Sequence, residues 1–176
     1  MASEEVRAVA VRRHIIDTEL PFNDVLDGIF TGISRPDINA LFKKLAAAAT
    51  YEELAALVDE AQGSSGLMRF LQLDLDAALA KDPQAQHMAG RRLVRIIAGN
   101  PVTMGKMTRH VAAAGSYAPI TLLVEELANG GTRVSYDSVA SAIAMYQDSA
   151  ASEVAARLDG EVLSLLRRVT GVPAAA

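Results

Sequence analysis

The sequence ITLLVEELANGGTRVSYD, residues 120–137, decides the fold. Its two ends are rich in Ile, Leu, Val and Tyr, which favour extended backbone. Between them, Leu127-Ala128-Asn129-Gly130-Gly131 supplies the Asn and Gly residues that tolerate positive φ angles in tight turns. The pattern predicts two strands, Ile120–Glu126 and Thr132–Asp137, joined as an antiparallel hairpin.

Upstream of this hairpin, Val-, Ile- and Leu-rich segments predict three more strands, over residues 5–16, 67–74 and 92–98. Between the first and second of these, apolar residues recur at the i, i+3, i+4 spacing of amphipathic helices. Gly and Ser residues at 63–66 interrupt that helical region just before a strand resumes. The predicted helices begin near Pro21, Ile38 and Thr50.

Further helices are predicted around the hairpin. Asn100 directly before Pro101 is a helix-start signal, and this helix should run to about His110. A brief helical turn is expected over residues 76–81. Two closing helices are predicted over residues 138–146 and 152–169.

Strict strand–helix–strand alternation is absent, which disfavours a doubly wound parallel sheet. The sequence instead predicts an α+β two-layer sandwich, with an antiparallel-rich sheet of about four to five strands covered by helices. We expect one domain over residues 1–176, in which helices at 21–62 and 151–170 flank the central part of the sheet.

Composition limits the classes of function. The 176 residues are 51% hydrophobic and 22% charged, with no cysteine and a formal net charge of −4. The length allows one domain with a sizeable core, and the missing cysteines exclude thiolate metal ligands and thiol nucleophiles. The acidic balance argues against nucleic acid as a partner, and no apolar run approaches the roughly 18 residues of a membrane span. We expect a cytoplasmic protein that binds neither nucleic acid nor membranes. The Ala-rich composition and the tail at residues 174–176 hint at a bacterial source.

Common cofactor motifs are also missing. The three histidines, His14, His87 and His110, lie far apart and form no H-E-x-x-H pair. No Walker A or G-x-G-x-x-G pattern occurs, so neither a metal nor a nucleotide cofactor is expected.

An ordered set of short motifs suggests a family. Gly99-Asn100-Pro101 is followed by Tyr117-Ala118-Pro119, then Gly130-Gly131, and finally Val134-Ser135-Tyr136-Asp137. In this order they resemble domain-of-unknown-function family 302 over roughly residues 65–145. The resemblance is greatest to a longer subgroup in which the GNP turn leads to a T-M-x-R-H segment, here residues 104–110.

This resemblance implies a compact two-layer α/β domain, often dimeric, with no generally established activity. The chain departs from the family at Leu73-Asp74-Leu75, because relatives commonly have His after the Asp. Any chemistry that depends on that His would be lost here, or carried by another group.

The predicted helix at 101–110 holds the strongest candidate groups. Asn100 marks its start, where free N–H groups and the positive end of the helix dipole could hold a carboxylate, phosphate or enolate oxygen. The alternative is a cap that satisfies only its own helix. At the other end, Arg109 could clamp an anion and His110 could act as a general acid or base. The alternative is that these cations simply favour the helix C-terminus.

Four further side chains complete the candidate set. Asp74 ends an apolar strand and could be a base, or it could be a turn or N-cap residue at the start of the short helix that follows. Tyr136 is a candidate for hydrogen bonding in catalysis and Tyr117 for ligand binding, although tyrosine in strands also serves packing. Met107, with Met104 three residues before it, could line a ligand pocket or belong to the core.

These residues support two hypotheses. The first is a small-molecule pocket between sheet and helices, used for binding or for cofactor-free acid–base chemistry of the isomerase, cyclase or lyase type. The second is a non-catalytic homodimeric interaction protein whose helices at 21–33 and 152–169 present a partner surface. Those helices could equally well only cover the sheet.

Overall fold

Five strands form one antiparallel sheet in the computed structural model, which describes residues 1–173. The alanine tail at 174–176, used above as a hint of source, lies outside the described residues. The strands are β1 (Arg13–Thr18), β2 (Met68–Asp74), β3 (Leu93–Gly99), β4 (Ile120–Glu126) and β5 (Thr132–Asp137).

Helices occupy much of the rest of residues 1–173. The order of elements confirms the predicted α+β class, with a sheet of five strands. The helices are α1 (Phe22–Gly32), α2 (Ile38–Ala47), α3 (Tyr51–Ala61), α4 (Asp76–Leu79), α5 (Pro101–Thr108), α6 (Val139–Ile143) and α7 (Ser149–Thr170).

The sheet order is β1-β5-β4-β3-β2, and every neighbouring pair is antiparallel. The predicted hairpin β4–β5 lies at the centre, with both strand boundaries as the sequence analysis gave them. Its local turn residues explain this agreement, since Gly130 adopts a φ of 84°. Register is fixed by pairs such as Leu122 opposite Tyr136.

Alternation along the strands divides the sheet into two faces. On the inner face, Ile96, Leu122 and Val134 are fully buried against the helices. Helices α1, α5, α6 and α7 supply the other side of this main core. On the outer face, Ile15, Leu71 and Leu73 remain exposed. The helices therefore leave the outer face open.

Capping side chains fix most helix starts. Asp37 caps α2 through the N–H of Ala40, and Thr50 caps α3 through the N–H of Glu53. The longest helix, α7, starts at an Asp148 cap, three residues earlier than predicted. It ends before Gly171, whose φ of 70° suits a glycine.

The predicted first strand, residues 5–16, is too early. Strand β1 runs from Arg13 to Thr18, and residues 5–12 form no strand. Its partner β5 ends at Asp137, which pairs with Arg13, so the residues before Arg13 have no strand beside them. Strand length here depends on a partner far away in sequence.

The last predicted helix pair also differs in detail. Instead of one helix over 138–146, α6 ends at Ile143 and a 3₁₀ turn, Ala144–Tyr146, follows it.

Of the helices within residues 1–173, none is both long and apolar enough to cross a membrane.

Gly160 offers a test of how α7 is built. It lies inside the helix and is exposed, and a Cβ placed on it would meet no atom within 4 Å. Gly160→Ala should therefore raise the free energy of unfolding by about 0.5–1 kcal/mol, measured by urea denaturation, because Ala loses less backbone entropy on folding.

Gly32→Ala is the matched control, because its Cβ would lie 2.4 Å from Leu165 Cδ1. This substitution should lower the free energy of unfolding. A Gly160→Ala protein no more stable than the wild type would contradict the account of α7 as one continuous, solvent-facing helix at this position.

Candidate functional site

A cavity of about 230 Å³ opens where β3 ends, beside the first turn of α5. Two of the motifs singled out in the sequence meet at its wall. One is Gly99-Asn100-Pro101, and the other is Ala118-Pro119 with the first residue of β4, Ile120. The two are separated by helix α5 and a 3₁₀ turn in the chain.

Antiparallel pairing explains why the two motifs meet. Ala98 pairs with Ile120, so the end of β3 lies beside the start of β4. A Cβ on Gly99 would lie 3.1 Å from Pro119 Cβ and 3.2 Å from Phe70 Cε2. Only a glycine lets the chain pass this close without displacing its neighbours. The Ala118–Pro119 peptide bond is cis.

The rest of the cavity lining comes from elements outside these motifs. Phe42 from α2 and Phe70 from β2 form a tilted aromatic pair, with ring centroids 5.7 Å apart. Phe70 also packs on a small second core, which Leu41, Leu45, Val58 and Met68 form beneath α2 and α3. Met104 and Leu158, which belong to the main core region, complete the apolar lining. The cavity therefore lies at the junction of the two cores.

Asn100 is engaged on both sides of its amide. Its Oδ1 accepts hydrogen bonds from the N–H groups of Val102 (2.9 Å) and Thr103 (3.1 Å). Its Nδ2 donates to Gln62 Oε1 (2.8 Å) and to the carbonyl oxygen of Gly66 (3.0 Å). Pro101 has no N–H, and the N–H of Met104 donates to the Asn100 carbonyl at 2.9 Å. The first turn of α5 is thus capped by the protein itself, which matches the alternative interpretation of Asn100.

The candidate charged groups lie outside the cavity wall. Arg109 and His110 are exposed at the C-terminal end of α5, opposite the end that borders the cavity. Asp74 is exposed at the end of β2, where its Oδ1 accepts a hydrogen bond of 2.9 Å from Gln72 Nε2. Among residues 1–173, no hydrogen bond or ion pair joins Asp74 to Arg109 or His110. The predicted capping role of Asp74 was wrong, because the N-cap of α4 is Leu75 and carries no side-chain cap.

Two other candidates lie in the main core or pack against it. Met107 has no exposed surface. Tyr117 is partly buried and packs against that core, directly before the Ala118-Pro119 segment of the cavity wall. The structure therefore places Asn100 in the wall and Tyr117 next to it, and disperses the remaining candidates.

Tyr136 belongs to a buried hydrogen-bond network that the sequence analysis missed. Its hydroxyl donates to Asp159 Oδ1 at 2.5 Å, and the Ser138 hydroxyl donates to Asp159 Oδ2 at 2.6 Å. The N–H groups of Val139 (2.9 Å) and Ala140 (3.2 Å) donate to the same carboxylate. Asp159 of α7 thus caps the start of α6 from a different helix.

Burial, and next its hydrogen bond to Asp159, raise the pKa of Tyr136 well above its ordinary value. A phenol held neutral in this way keeps its proton, so its position favours a structural role. One signal for Asp159 was present in the sequence. It shares the apolar stripe of α7 with Ala155, Val162 and Leu166, where a carboxylate needs buried partners.

Comparison with known proteins adds the family. The family described as "Domain of unknown function DUF302" matches residues 43–169. The chain belongs to the DUF302 family. The match begins before and ends after the expected residues 65–145, and it includes α3, α7 up to residue 169, and both motifs of the cavity wall.

A solved DUF302 structure is similar in fold. It is described as the crystal structure of an uncharacterized conserved DUF302 protein from Bacillus stearothermophilus, with a TM-score of 0.59 and 16% identity. The similarity covers 89% of this chain and 97% of that one. No curated protein matches the chain. At this identity the DUF302 relative supports the fold alone.

The Asp159 network predicts a pH-dependent stability. Tyr136→Phe removes one hydrogen bond to a buried carboxylate and should lower the free energy of unfolding by about 1.5–3 kcal/mol at neutral pH. The folded-state pKa of Tyr136 lies above its ordinary value of 10.0. The stabilisation is therefore complete below about pH 10 and declines at higher pH, where the unfolded chain releases the phenol proton first.

Urea denaturation from pH 7 to 10.5 measures this effect. The difference in stability between the wild type and Tyr136→Phe should narrow toward the alkaline end. Tyr51→Phe, on an exposed tyrosine, controls for general alkaline effects. A wild-type advantage that stays constant across this pH range would be inconsistent with the buried phenol as described.

Proposed function

We propose that this DUF302 protein is a binding domain for a small organic molecule, and that the cavity between β3, β4 and α5 is its site. One observation carries the proposal: two separate sequence motifs, Gly99-Asn100-Pro101 and Ala118-Pro119, converge on one cavity. A concave, mostly apolar pocket with a few polar groups is the usual form of a small-molecule site.

Binding is favoured over cofactor-free acid–base chemistry at this cavity. An acid–base step needs a titratable group within about 3 Å of the reacting atom, or one water away. His110 and Asp74 are exposed elsewhere, and the Tyr136 hydroxyl donates to Asp159. None of the described residues that line the cavity is titratable. The enzyme hypothesis thus has no group to carry it at this position.

A second candidate function, homodimerisation, rests on the open face of the sheet. The helices first considered as partner surfaces, α1 and α7, bury Val25, Ile29 and Leu165 within the protein itself. Ile15, by contrast, is 57% exposed on the outer face of the sheet. For six-residue strands in a five-stranded sheet, this outer face measures roughly 20 Å by 24 Å, an area that suits a small, weak dimer interface.

Charge on the outer face is balanced, which suits contact with an identical face. Arg13 pairs with Asp137 at 2.7 Å, and Arg133 pairs with Asp17 at 2.7 Å. We propose that a second copy of this chain covers the face. The cytoplasmic location and the bacterial source remain predictions from the sequence.

The binding proposal is tested by a thermal-shift screen against a metabolite library. A ligand at 100 times its Kd should stabilise the wild type by about 2.7 kcal/mol. Phe42→Ala removes an aromatic wall of the cavity and should abolish or weaken the response. Tyr51→Ala, an exposed aromatic on the adjacent helix outside the cavity, should leave it unchanged.

The double variant Arg109→Ala, His110→Ala decides whether the ligand binds in the cavity or at the C-terminal end of α5. We expect it to retain every library response. A response lost in this variant but kept in Phe42→Ala would return the site to the end of α5 and refute the cavity.

Dimerisation is tested by sedimentation velocity. Ile15→Glu places a charge at an exposed apolar position of the outer face and should convert a wild-type dimer to a monomer. Val6→Glu, in the exposed segment before β1, is the matched control and should leave the dimer intact. A monomeric wild-type protein at tens of micromolar, or a dimer that survives Ile15→Glu, would count against this interface.

A further inference from the structure

We infer that the ligand of the cavity is a neutral, largely apolar molecule built on one or two rings, and that anions are excluded. This inference rests on the proposed function, because it specifies what that cavity holds. It follows from the chemistry of the wall, from the hydrogen bonds of α5 and from the volume.

The wall offers hydrocarbon and aromatic surface. The lining includes the rings of Phe42 and Phe70 and the side chains of Met104, Ile120 and Leu158. Of these, Ile120 and Leu158 are almost completely buried. The binding free energy of a ligand here comes from the removal of apolar surface from water, and charge contributes nothing to it.

The start of α5 looks at first like a site for an anion. A helix N-terminus attracts negative charge because its first N–H groups are free and its dipole is positive there. Here those N–H groups are not free. Asn100 Oδ1 takes the two from Val102 and Thr103, and the carbonyl of Asn100 takes the one from Met104.

The amide nitrogen of Asn100 is no substitute donor. Its two hydrogen bonds go to Gln62 and to the Gly66 carbonyl. An anion in the cavity would give up water and receive no hydrogen bonds from this turn in return, which is a large free-energy cost.

Volume limits the size of the ligand. An apolar cavity of about 150 Å³, lined by Leu, Ile and Phe, binds benzene. The volume here, about 230 Å³, leaves room for a substituted single ring or a compact bicyclic molecule. The tilted pair of Phe42 and Phe70 favours a flat ring, since aromatic rings prefer tilted or offset contacts.

Methionine-methyl NMR provides a test located at the cavity. Protein labelled with [¹³C-methyl]methionine reports on Met104 in the wall, while Met88, outside the wall, serves as an internal control. The probes are benzyl alcohol and benzoate, which differ mainly in charge, with indole as a bicyclic probe and inorganic phosphate as a second anion.

Benzyl alcohol and indole should shift the Met104 signal saturably and leave Met88 unchanged. Benzoate should bind at least about tenfold more weakly than benzyl alcohol, because its carboxylate must be desolvated. Phe42→Ala should weaken the response to both neutral probes, whereas Tyr51→Ala should not.

The outcomes separate this inference from the proposed function. If benzoate or phosphate moves Met104 at concentrations equal to or below those of benzyl alcohol, the neutral class is overturned while the cavity remains a binding site. If the neutral probes leave Met104 unmoved, or shift Met104 and Met88 alike, the neutral class is likewise overturned. If in addition no library response depends on Phe42, the proposed binding function fails as well.

Discussion

The side chain of Asn100 is the interaction on which the site depends. It caps α5, and through its amide nitrogen it holds Gln62 at the end of α3 and the Gly66 carbonyl before β2. Aspartate at this position would cap the helix equally well, but it would place negative oxygen against two acceptors. The same four hydrogen bonds shape one wall of the cavity and use up the donors that an anion would need. A single amide therefore ties the ends of α3, β2 and α5 together.

A second anchor fixes the layer behind the cavity. Asp159 accepts hydrogen bonds from the end of β5 and the start of α6, and so holds α7 on the sheet. Leu158, its neighbour in the chain, lines the cavity from the same helix. A buried carboxylate is tolerable only when its oxygens are fully paired, which makes the position of α7 specific rather than merely apolar.

Local signals gave much of the fold, and non-local contacts account for the differences. The β4–β5 hairpin was predicted with its boundaries because turn residues act locally. The first strand was misplaced because its length depends on β5, more than a hundred residues away. The motif around Asn100 was found, but its hydrogen bonds to Gln62 and Gly66 join positions far apart in the sequence. Phe42 and Leu158 carry no signal of their own, since an apolar residue at helical spacing looks the same in a core as in a cavity wall.

The position of the cavity also bears on how a ligand would affect the protein. Protein interiors are normally close-packed, so an opening between two cores forfeits contacts that the surrounding side chains could make. Gly99 and Pro119 bring two backbone segments together at this junction, and Phe42 and Phe70 face it from α2 and β2. An apolar ligand would restore contacts on both sides at once. It would therefore join the small core under α2 and α3 to the main core, and its binding energy would appear as added stability of the α2–α3 pair.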